Sequence, residues 1–130
     1  MPQRSFLVLA ALNAFLAVAA GAFGAHGLKA VFSDYQMGIY RTAVDYQMWH
    51  ALGLGLIAVV AGNRPGARDL MRAGGFMQAG ILLFSGSLYA LAFTGIRALG
   101  FITPFGGVCL LTAWLLLGLA AWRTPGRQCD

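Results

Sequence analysis

The stretch GAFGAHGLKAVFSDYQMGIYRTAVDYQMWH, residues 21–50, joins the first long apolar run of this chain to the second. It contains both histidines, two of the four acidic residues and three of the four tyrosines in a sequence otherwise rich in Leu, Ala, Gly and Phe. Polar chemistry is therefore concentrated in this stretch, and the apolar runs on either side of it determine the fold.

Composition is typical of a membrane protein. Of the 130 residues, 59% are hydrophobic and 10% are charged, with a mean hydropathy of +0.72, whereas soluble domains carry about 25% charged residues. Four segments contain no Asp, Glu, Lys or Arg over at least 18 residues, namely residues 5–28, 46–63, 73–96 and 98–122. Each is long enough to cross a hydrocarbon core of about 30 Å as a helix, and none alternates as a barrel strand would.

These segments predict an all-α fold, a four-transmembrane-helix antiparallel bundle that forms one integral membrane domain over residues 1–130. The predicted spans cover residues 6–27, 44–62, 73–95 and 102–122. Ser33 and Gln36 stand at capping-box spacing, which predicts that the second helix begins near Asp34. An interfacial amphipathic segment then extends this helix ahead of its span. Gly27 is expected to end the first helix in a left-handed conformation.

Small and polar residues inside the spans predict close contacts between helices. In the first span, Ala17 and Gly24 follow Asn13 by four and eleven residues. Both offsets return to the same side of a helix, so the three residues share a face. The amide of Asn13 is expected to bond to a neighbouring helix. The predicted packing positions are Asn13, Ala17, Gly21, Gly24, Ser85 and Gly86.

The distribution of basic residues predicts the orientation in the membrane. One side of the four-span topology holds Arg4, Arg64, Arg68, Arg72, Arg123 and Arg127, and the other holds Lys29, Arg41 and Arg97. By the positive-inside rule the larger set is cytoplasmic, which predicts a multi-pass protein of the bacterial inner membrane with both termini in the cytoplasm. The net charge of +5 then indicates contact with the lipid bilayer, and no nucleic-acid partner is expected.

The two histidines are the first candidates for a ligand site. His26 ends the first span and His50 begins the second, so the topology puts both in one leaflet, where they could meet. A pair of imidazoles can bind a metal or a haem iron, or relay protons to a quinone, and Tyr46 or Asp45 could orient one ring. Two histidines do not complete a usual zinc site, so structural hydrogen bonding is the competing interpretation, and neither a metal nor another cofactor is the first expectation.

Other polar residues add little to this pair. Lys29 and Arg41 are candidates for binding an anionic lipid headgroup, with a solvated interfacial position as the alternative. Cys109 lies within the fourth span and Cys129 in the tail beyond it, roughly 30 Å along a helix, so they cannot bridge.

Four ordered motifs carry a resemblance to a known family. They are GAFGAHGLK at residues 21–29, AVDYQMWH at 43–50, FSGSLY at 84–89 and ITPFGG at 102–107. The chain resembles the small bacterial inner-membrane proteins of domain-of-unknown-function family 423, which are similar to the eukaryotic transmembrane-protein-256 group. The resemblance implies a four-helix membrane protein and no established activity. It also implies that His26 and His50 occupy motif positions, and that Asp45 stands where the family pattern has Gln.

Three functions remain open at this stage. The first is a non-catalytic accessory, assembly or binding subunit, acting in a membrane complex or as a homo-oligomer, because the chain shows helix-packing faces and no catalytic constellation. The second is a ligand- or redox-active membrane protein that uses the pair of His26 and His50 to bind a quinone, lipid headgroup, metal or haem. The third is an oligomeric channel or transporter lined by Asn13, Gln78 and Ser85.

Overall fold

A computed structural model of the chain describes residues 2–64 and 66–123. Within these residues there are four α-helices and no strand: α1 Pro2–His26, α2 Asp34–Gly62, α3 Arg68–Thr94 and α4 Thr103–Trp122. Two short 3₁₀ turns, Leu28–Ala30 and Arg97–Phe101, lie in the connections. Arg127 and Cys129, which the sequence analysis considered, lie outside the described residues.

Each of the four helices is long and apolar enough to cross a membrane. Short connections make successive helices antiparallel, and α1 packs mainly on α2, α2 on α3, and α3 on α4. Large apolar side chains on every helix point outward, among them Phe15, Leu52, Leu82 and Leu115, because the surrounding hydrocarbon is as apolar as the protein interior. The predicted all-α bundle of four transmembrane helices is confirmed.

The start of α2 follows from the predicted capping box. The Ser33 hydroxyl accepts a hydrogen bond from the backbone N–H of Gln36 at 3.2 Å, and the Gln36 side-chain oxygen accepts one from the Ser33 N–H at 3.1 Å. The Gln36 amide also donates to the carbonyl of Ala92 near the end of α3 at 3.0 Å. This bond joins the extended first turns of α2 to α3, so the extension belongs to the bundle.

The end of α1 differs from the expectation in its backbone conformation. The helix ends at His26, but Gly27 has φ −92° and ψ −48°, which is right-handed, so the predicted left-handed conformation is wrong. A Cβ at Gly27 would lie 2.9 Å from the ring of Phe23, which explains why glycine suits the position. The left-handed helix end belongs to α3 instead, where Gly95 has φ 71°.

Glycine also determines how closely α3 and α4 approach. A Cβ on Gly106 of α4 would collide with the backbone of Phe84 on α3, and a Cβ on Gly80 of α3 would collide with Leu110 on α4. The larger part of the core is built around Leu54, Ile57, Leu70, Met77 and Ala113. It lies between these contacts and the connection of α2 to α3. A smaller cluster of Leu28, Met37, Tyr40 and Ala92 packs at the opposite end.

The most peripheral helix is α1. Near its start, Phe6 covers Gly74 of α3 so closely that a Cβ there would collide with the ring. Further along, α1 follows α2, where the ring of Tyr40 lies 2.6 Å from the position of a Cβ on Gly24. The small-residue face of α1, with Ala17 1% exposed, is therefore turned toward α2, and α1 diverges from α3 beyond its first half.

Gly106→Ala is expected to lower the free energy of unfolding by about 1–3 kcal/mol, because the added methyl group meets the Phe84 backbone, which cannot rotate away. Gly118→Ala on the same helix is the matched control: nothing lies within 4 Å of its Cβ position, so we expect unchanged stability or a gain of up to about 1 kcal/mol. Unfolding in mixed detergent and SDS, followed by circular dichroism, measures both. Equal stability of the two variants would contradict the close approach of α3 and α4.

Candidate functional site

The structure does not bring the two histidines together. His26 is exposed at the end of α1, two residues past Gly24, which packs on Tyr40. His50 is buried on α2, ten residues beyond Tyr40 and therefore about 15 Å further along the helix axis. The sequence left open whether the two imidazoles meet, and this geometry does not support a meeting of the two rings.

His50 instead takes part in an aromatic contact between α2, α3 and α4. Its Nδ1 lies 2.6 Å from the carbonyl of Tyr46, one turn earlier on α2. Its ring stacks on that of Tyr46 with centroids 5.5 Å apart, and Tyr46 stacks on Phe84 of α3 at 4.4 Å. Trp114 of α4 approaches the imidazole edge-on at 6.2 Å. Tyr46 thus orients the imidazole through its carbonyl and its ring.

Asp45, Arg41 and Lys29 lie elsewhere. All three are exposed, and Asp45 and Arg41 line a small cavity of about 170 Å³ on the outer side of α1 and α2, away from His50. Lys29 belongs to the 3₁₀ turn after α1. Among the described residues, no three His, Cys, Asp or Glu side chains converge as a metal site would require.

A groove lies between α1 and α3, with α2 as its floor, and is here called the lateral groove. Its volume is about 550 Å³, which lies in the usual range for ligand pockets. Phe6 and Asn13, in the first half of α1, contact α3, whereas Gly24 near the end of α1 packs on Tyr40 of α2. The residues that line it are Asn13, Leu16, Ala19, Ala20 and Phe23 of α1, Tyr40 and Gln47 of α2, and Ile81, Leu82, Ser85, Gly86, Tyr89 and Phe93 of α3.

Polar side chains at the lateral groove join the three helices. The Asn13 amide donates to the carbonyl of Leu9 at 2.8 Å and to the side-chain oxygen of Gln78 on α3 at 2.9 Å. The Tyr89 hydroxyl donates to the side-chain oxygen of Gln47 at 2.7 Å, and the Tyr40 hydroxyl donates to the carbonyl of Ala20 at 2.6 Å. Each pair of helices that forms the groove therefore shares one hydrogen bond of this kind.

Ser85 is the exception to this pattern. Its side chain is 2% exposed, and its Oγ has no hydrogen-bond partner within the described part of the chain. A buried hydroxyl without a partner loses its hydration and gains nothing in return, and a bilayer supplies no water to replace it. Ser85 also lines the lateral groove, so a molecule that enters there would lie against this residue.

Aromatic rings form the end of the lateral groove that lies farthest from Asn13. Tyr40 makes edge-on contacts with Tyr89 at 5.3 Å and with Phe93 at 5.9 Å between centroids. Phe32 supports Phe93 from behind at 5.2 Å. The groove thus has amides and a hydroxyl along its length and a rigid aromatic wall at one end.

The sequence predicted several residues of this site, but as contacts between helices and not as the lining of a groove. Asn13 and Ser85 were expected at helix contacts, and both are buried, but Ser85 also lines the groove. Gly86 was expected to pack against a helix; it is exposed, and nothing lies within 4 Å of its Cβ position, so it forms open groove wall. The hydrogen bond between Gln47 and Tyr89 was not predicted.

The sequence does show two polar residues inside predicted spans, but whether they pair depends on the register of α2 and α3.

Comparisons with known proteins agree with this architecture. Residues 20–107 match the family described as protein of unknown function, DUF423. The chain is 48% identical over 119 residues to the UPF0382 membrane protein YwdK of Bacillus subtilis, covering 92% of this chain and 97% of that protein. It is 45% identical over 124 residues to the UPF0382 membrane protein SAB0533 of Staphylococcus aureus, and this match covers 95% of this chain and 100% of that protein. No solved structure matches.

The bond between Asn13 and Gln78 can be measured by a double-mutant cycle. Asn13→Leu and Gln78→Leu are expected to show a coupling energy of about 0.6 to 1.7 kcal/mol, the range found for hydrogen bonds between membrane helices. A second cycle pairs Asn13→Leu with Thr112→Val, whose hydroxyl bonds only within α4 at 2.8 Å, and should be additive within about 0.5 kcal/mol. Equal coupling in the two cycles would show that the amide bond does not hold α1 to α3.

Proposed function

The chain belongs to DUF423, a family of unknown function, and we propose that this multi-pass membrane protein acts as a non-catalytic binding subunit. The proposed ligand is a lipid-soluble small molecule that enters the lateral groove from the bilayer. The observation that carries the proposal is the Ser85 hydroxyl, which is buried in the groove wall without a partner among the described residues. A molecule with a polar atom at that level would complete it.

The chemical groups of the lateral groove suit binding better than catalysis. Its polar lining consists of two amides, one hydroxyl and two phenols, from Asn13, Gln47, Ser85, Tyr40 and Tyr89. Among the described residues that line it there is no carboxylate, imidazole or thiol, the groups that most often transfer protons or attack a substrate. Amides and hydroxyls orient a ligand by hydrogen bonds, and the apolar remainder of the groove accepts its hydrophobic part.

A transmembrane helix is the competing occupant. Ala19, Ala20 and Gly86 make part of the groove wall small, and small residues allow close approach of a further helix. In that case the protein would act as an accessory or assembly subunit of a larger membrane complex, or as a homo-oligomer. The unpartnered Ser85 hydroxyl favours the small molecule, because apolar helix side chains would leave it unsatisfied.

The two other functions have less support from the geometry. A redox or metal site at the pair of His26 and His50 needs both rings within bonding range of one ligand. His50 instead lies about 15 Å along α2 from Tyr40, the residue on which α1 packs near His26. An oligomeric pore lined by Asn13, Gln78 and Ser85 needs these side chains to face water. Asn13 and Gln78 instead bond to each other within one chain.

The proposed location is the bacterial inner membrane, with both termini in the cytoplasm. Arg4, Arg64, Arg68, Arg72 and Arg123 lie at one end of the bundle, and Lys29, Arg41 and Arg97 lie at the other. At the more basic end, Arg64 donates to the carbonyl of Ala120 at 2.7 Å and Arg123 pairs with Asp69 at 3.0 Å. An excess of Arg beside short loops supports a cytoplasmic position for that end.

Gly86→Leu is expected to exclude a ligand from the lateral groove, because the leucine side chain would occupy the open space there. Its Cβ meets no atom of another described helix within 4 Å. Gly75→Leu is the matched control, since Gly75 lies on the same helix, also has nothing within 4 Å, and does not line the groove. After mild detergent extraction, native mass spectrometry should show a bound small molecule on the wild type and on Gly75→Leu, and its loss from Gly86→Leu.

Two outcomes of this experiment contradict the proposal. Equal small-molecule content in the wild type and in Gly86→Leu would mean that the lateral groove is not a binding site for such a molecule. A second protein chain that is retained by the wild type and lost from Gly86→Leu would assign the groove to a partner helix.

The orientation is tested by the chain's own cysteines. Cys109→Ala leaves Cys129 as the sole thiol near the C-terminus, and in intact cells it should react with a membrane-impermeant maleimide only after the membrane is disrupted. A second variant combines Cys109→Ala and Cys129→Ser with Arg97→Cys, which places the sole thiol in the connection between α3 and α4. It should react without disruption. The reverse pattern would overturn the proposed orientation.

A further inference from the structure

We infer that the lateral groove takes a lipid-soluble carbonyl compound of the quinone class, with a ring carbonyl oxygen accepting hydrogen bonds from Ser85 and Gln47. This inference rests on the proposed function, because it names the chemistry of the molecule that the groove binds. Three features of the groove carry it: the depth of its polar groups, the direction of their hydrogen bonds and the aromatic wall beside them.

The depth of Ser85 separates a quinone from a phospholipid. Ser85 lies nine residues before Thr94, the last residue of α3, and so about 14 Å below that helix end. The headgroup and interfacial layer is only about 5–7 Å thick on each side of the hydrocarbon core. The ester groups of a phospholipid remain in that layer, and only its acyl chains, which have no hydrogen-bonding atom, reach the level of Ser85. A molecule that dissolves entirely in hydrocarbon brings its polar atom to this depth.

The two unpartnered hydrogen-bonding groups of the groove can both donate. The Gln47 side-chain oxygen already accepts from the Tyr89 hydroxyl at 2.7 Å, while its NH₂ group makes no hydrogen bond within the described residues. The Ser85 hydroxyl is also without a partner there. A carboxamide NH₂ can only donate, so the matching group on a ligand is an acceptor such as a carbonyl oxygen. A bound hydrocarbon or an acyl chain would leave both groups unsatisfied.

The aromatic wall suits a flat ring. Tyr89 lies one helical turn beyond Ser85 on α3 and lines the groove with Tyr40 and Phe93. These three rings hold one another by edge-on contacts at 5.3 and 5.9 Å, so their orientation is set before any ligand enters. Aromatic side chains pack favourably against another ring in stacked or edge-on geometry. A quinone ring whose carbonyl reaches Ser85 lies beside them, and its tail follows the apolar wall of α1.

The test uses decylubiquinone and a carbonyl-free arene with the same decyl tail as probes on the purified full chain in detergent. Binding is measured as the shift in unfolding temperature with probe concentration, because a ligand that binds only the folded state stabilises it. Ser85→Ala removes the hydroxyl and breaks no hydrogen bond in the described structure. The matched control is Thr112→Val, which removes a hydroxyl from α4, away from the groove.

The expected result is that decylubiquinone stabilises the wild type and Thr112→Val equally. Ser85→Ala should bind it about three- to tenfold more weakly, which is the loss expected from one neutral hydrogen bond. The carbonyl-free arene should bind the wild type more weakly than the quinone and should be indifferent to Ser85→Ala. Infrared spectroscopy adds an independent readout: the C=O stretch of the bound quinone should be lowered in the wild type and less so in Ser85→Ala.

Three outcomes overturn the inference, and they separate it from the proposed function. Equal binding of both probes with no effect of Ser85→Ala would mean that the groove selects for hydrophobicity and not for a carbonyl, and the proposed function would survive. Binding of neither probe, together with a native molecule lost from Gly86→Leu, would exclude the quinone class alone. Binding of neither probe and no such native molecule would overturn both.

Discussion

In hydrocarbon, every polar group of the protein must find its partner within the protein or on a molecule bound to it, and this constraint explains most of the arrangement of the bundle. The bonds from Asn13 to Gln78, from Tyr89 to Gln47 and from Tyr40 to Ala20 join α1, α2 and α3 at the points where polar groups would otherwise be stranded. The hydroxyl of Ser85 and the NH₂ group of Gln47 have no such partner among the described residues.

The lateral groove follows from an uneven distribution of close helix contacts. Glycines at positions 80 and 106 let α3 and α4 approach until side chain and backbone touch, and the larger core forms beside them. On the other side, Phe6 and Asn13 hold only the first half of α1 against α3. The second half of α1 lies on Tyr40 of α2 instead. Because packing drives helix association in lipid, the space left between α1 and α3 stays open to the bilayer.

Membership of DUF423 adds a family but no chemistry, so the chemistry must come from the site. The motif histidines do not form a pair: His26 is exposed, and His50 contacts Tyr46 and Trp114, with Tyr46 in turn stacked on Phe84 of α3. Two groups without a partner among the described residues, the Ser85 hydroxyl and the Gln47 NH₂ group, belong to residues that line the lateral groove. Both can donate a hydrogen bond within a largely apolar wall, and the proposed binding site is built on them.

The sequence by itself determined the class of protein, the four helices and the start of α2, because these depend on local properties: the length of apolar runs, the absence of charge and the spacing of Ser33 and Gln36. It also indicated Asn13 as an interhelical amide. The tertiary structure decided which helices touch and along which turns. In it His26 lies apart from His50, Gly86 lines the groove instead of packing on a helix, and Gln47 bonds to Tyr89. These outcomes depend on how whole helices are placed against one another, through contacts such as those of Gly24 with Tyr40 and of Gly74 with Phe6. Periodicity within one helix carries no information about the helix beside it.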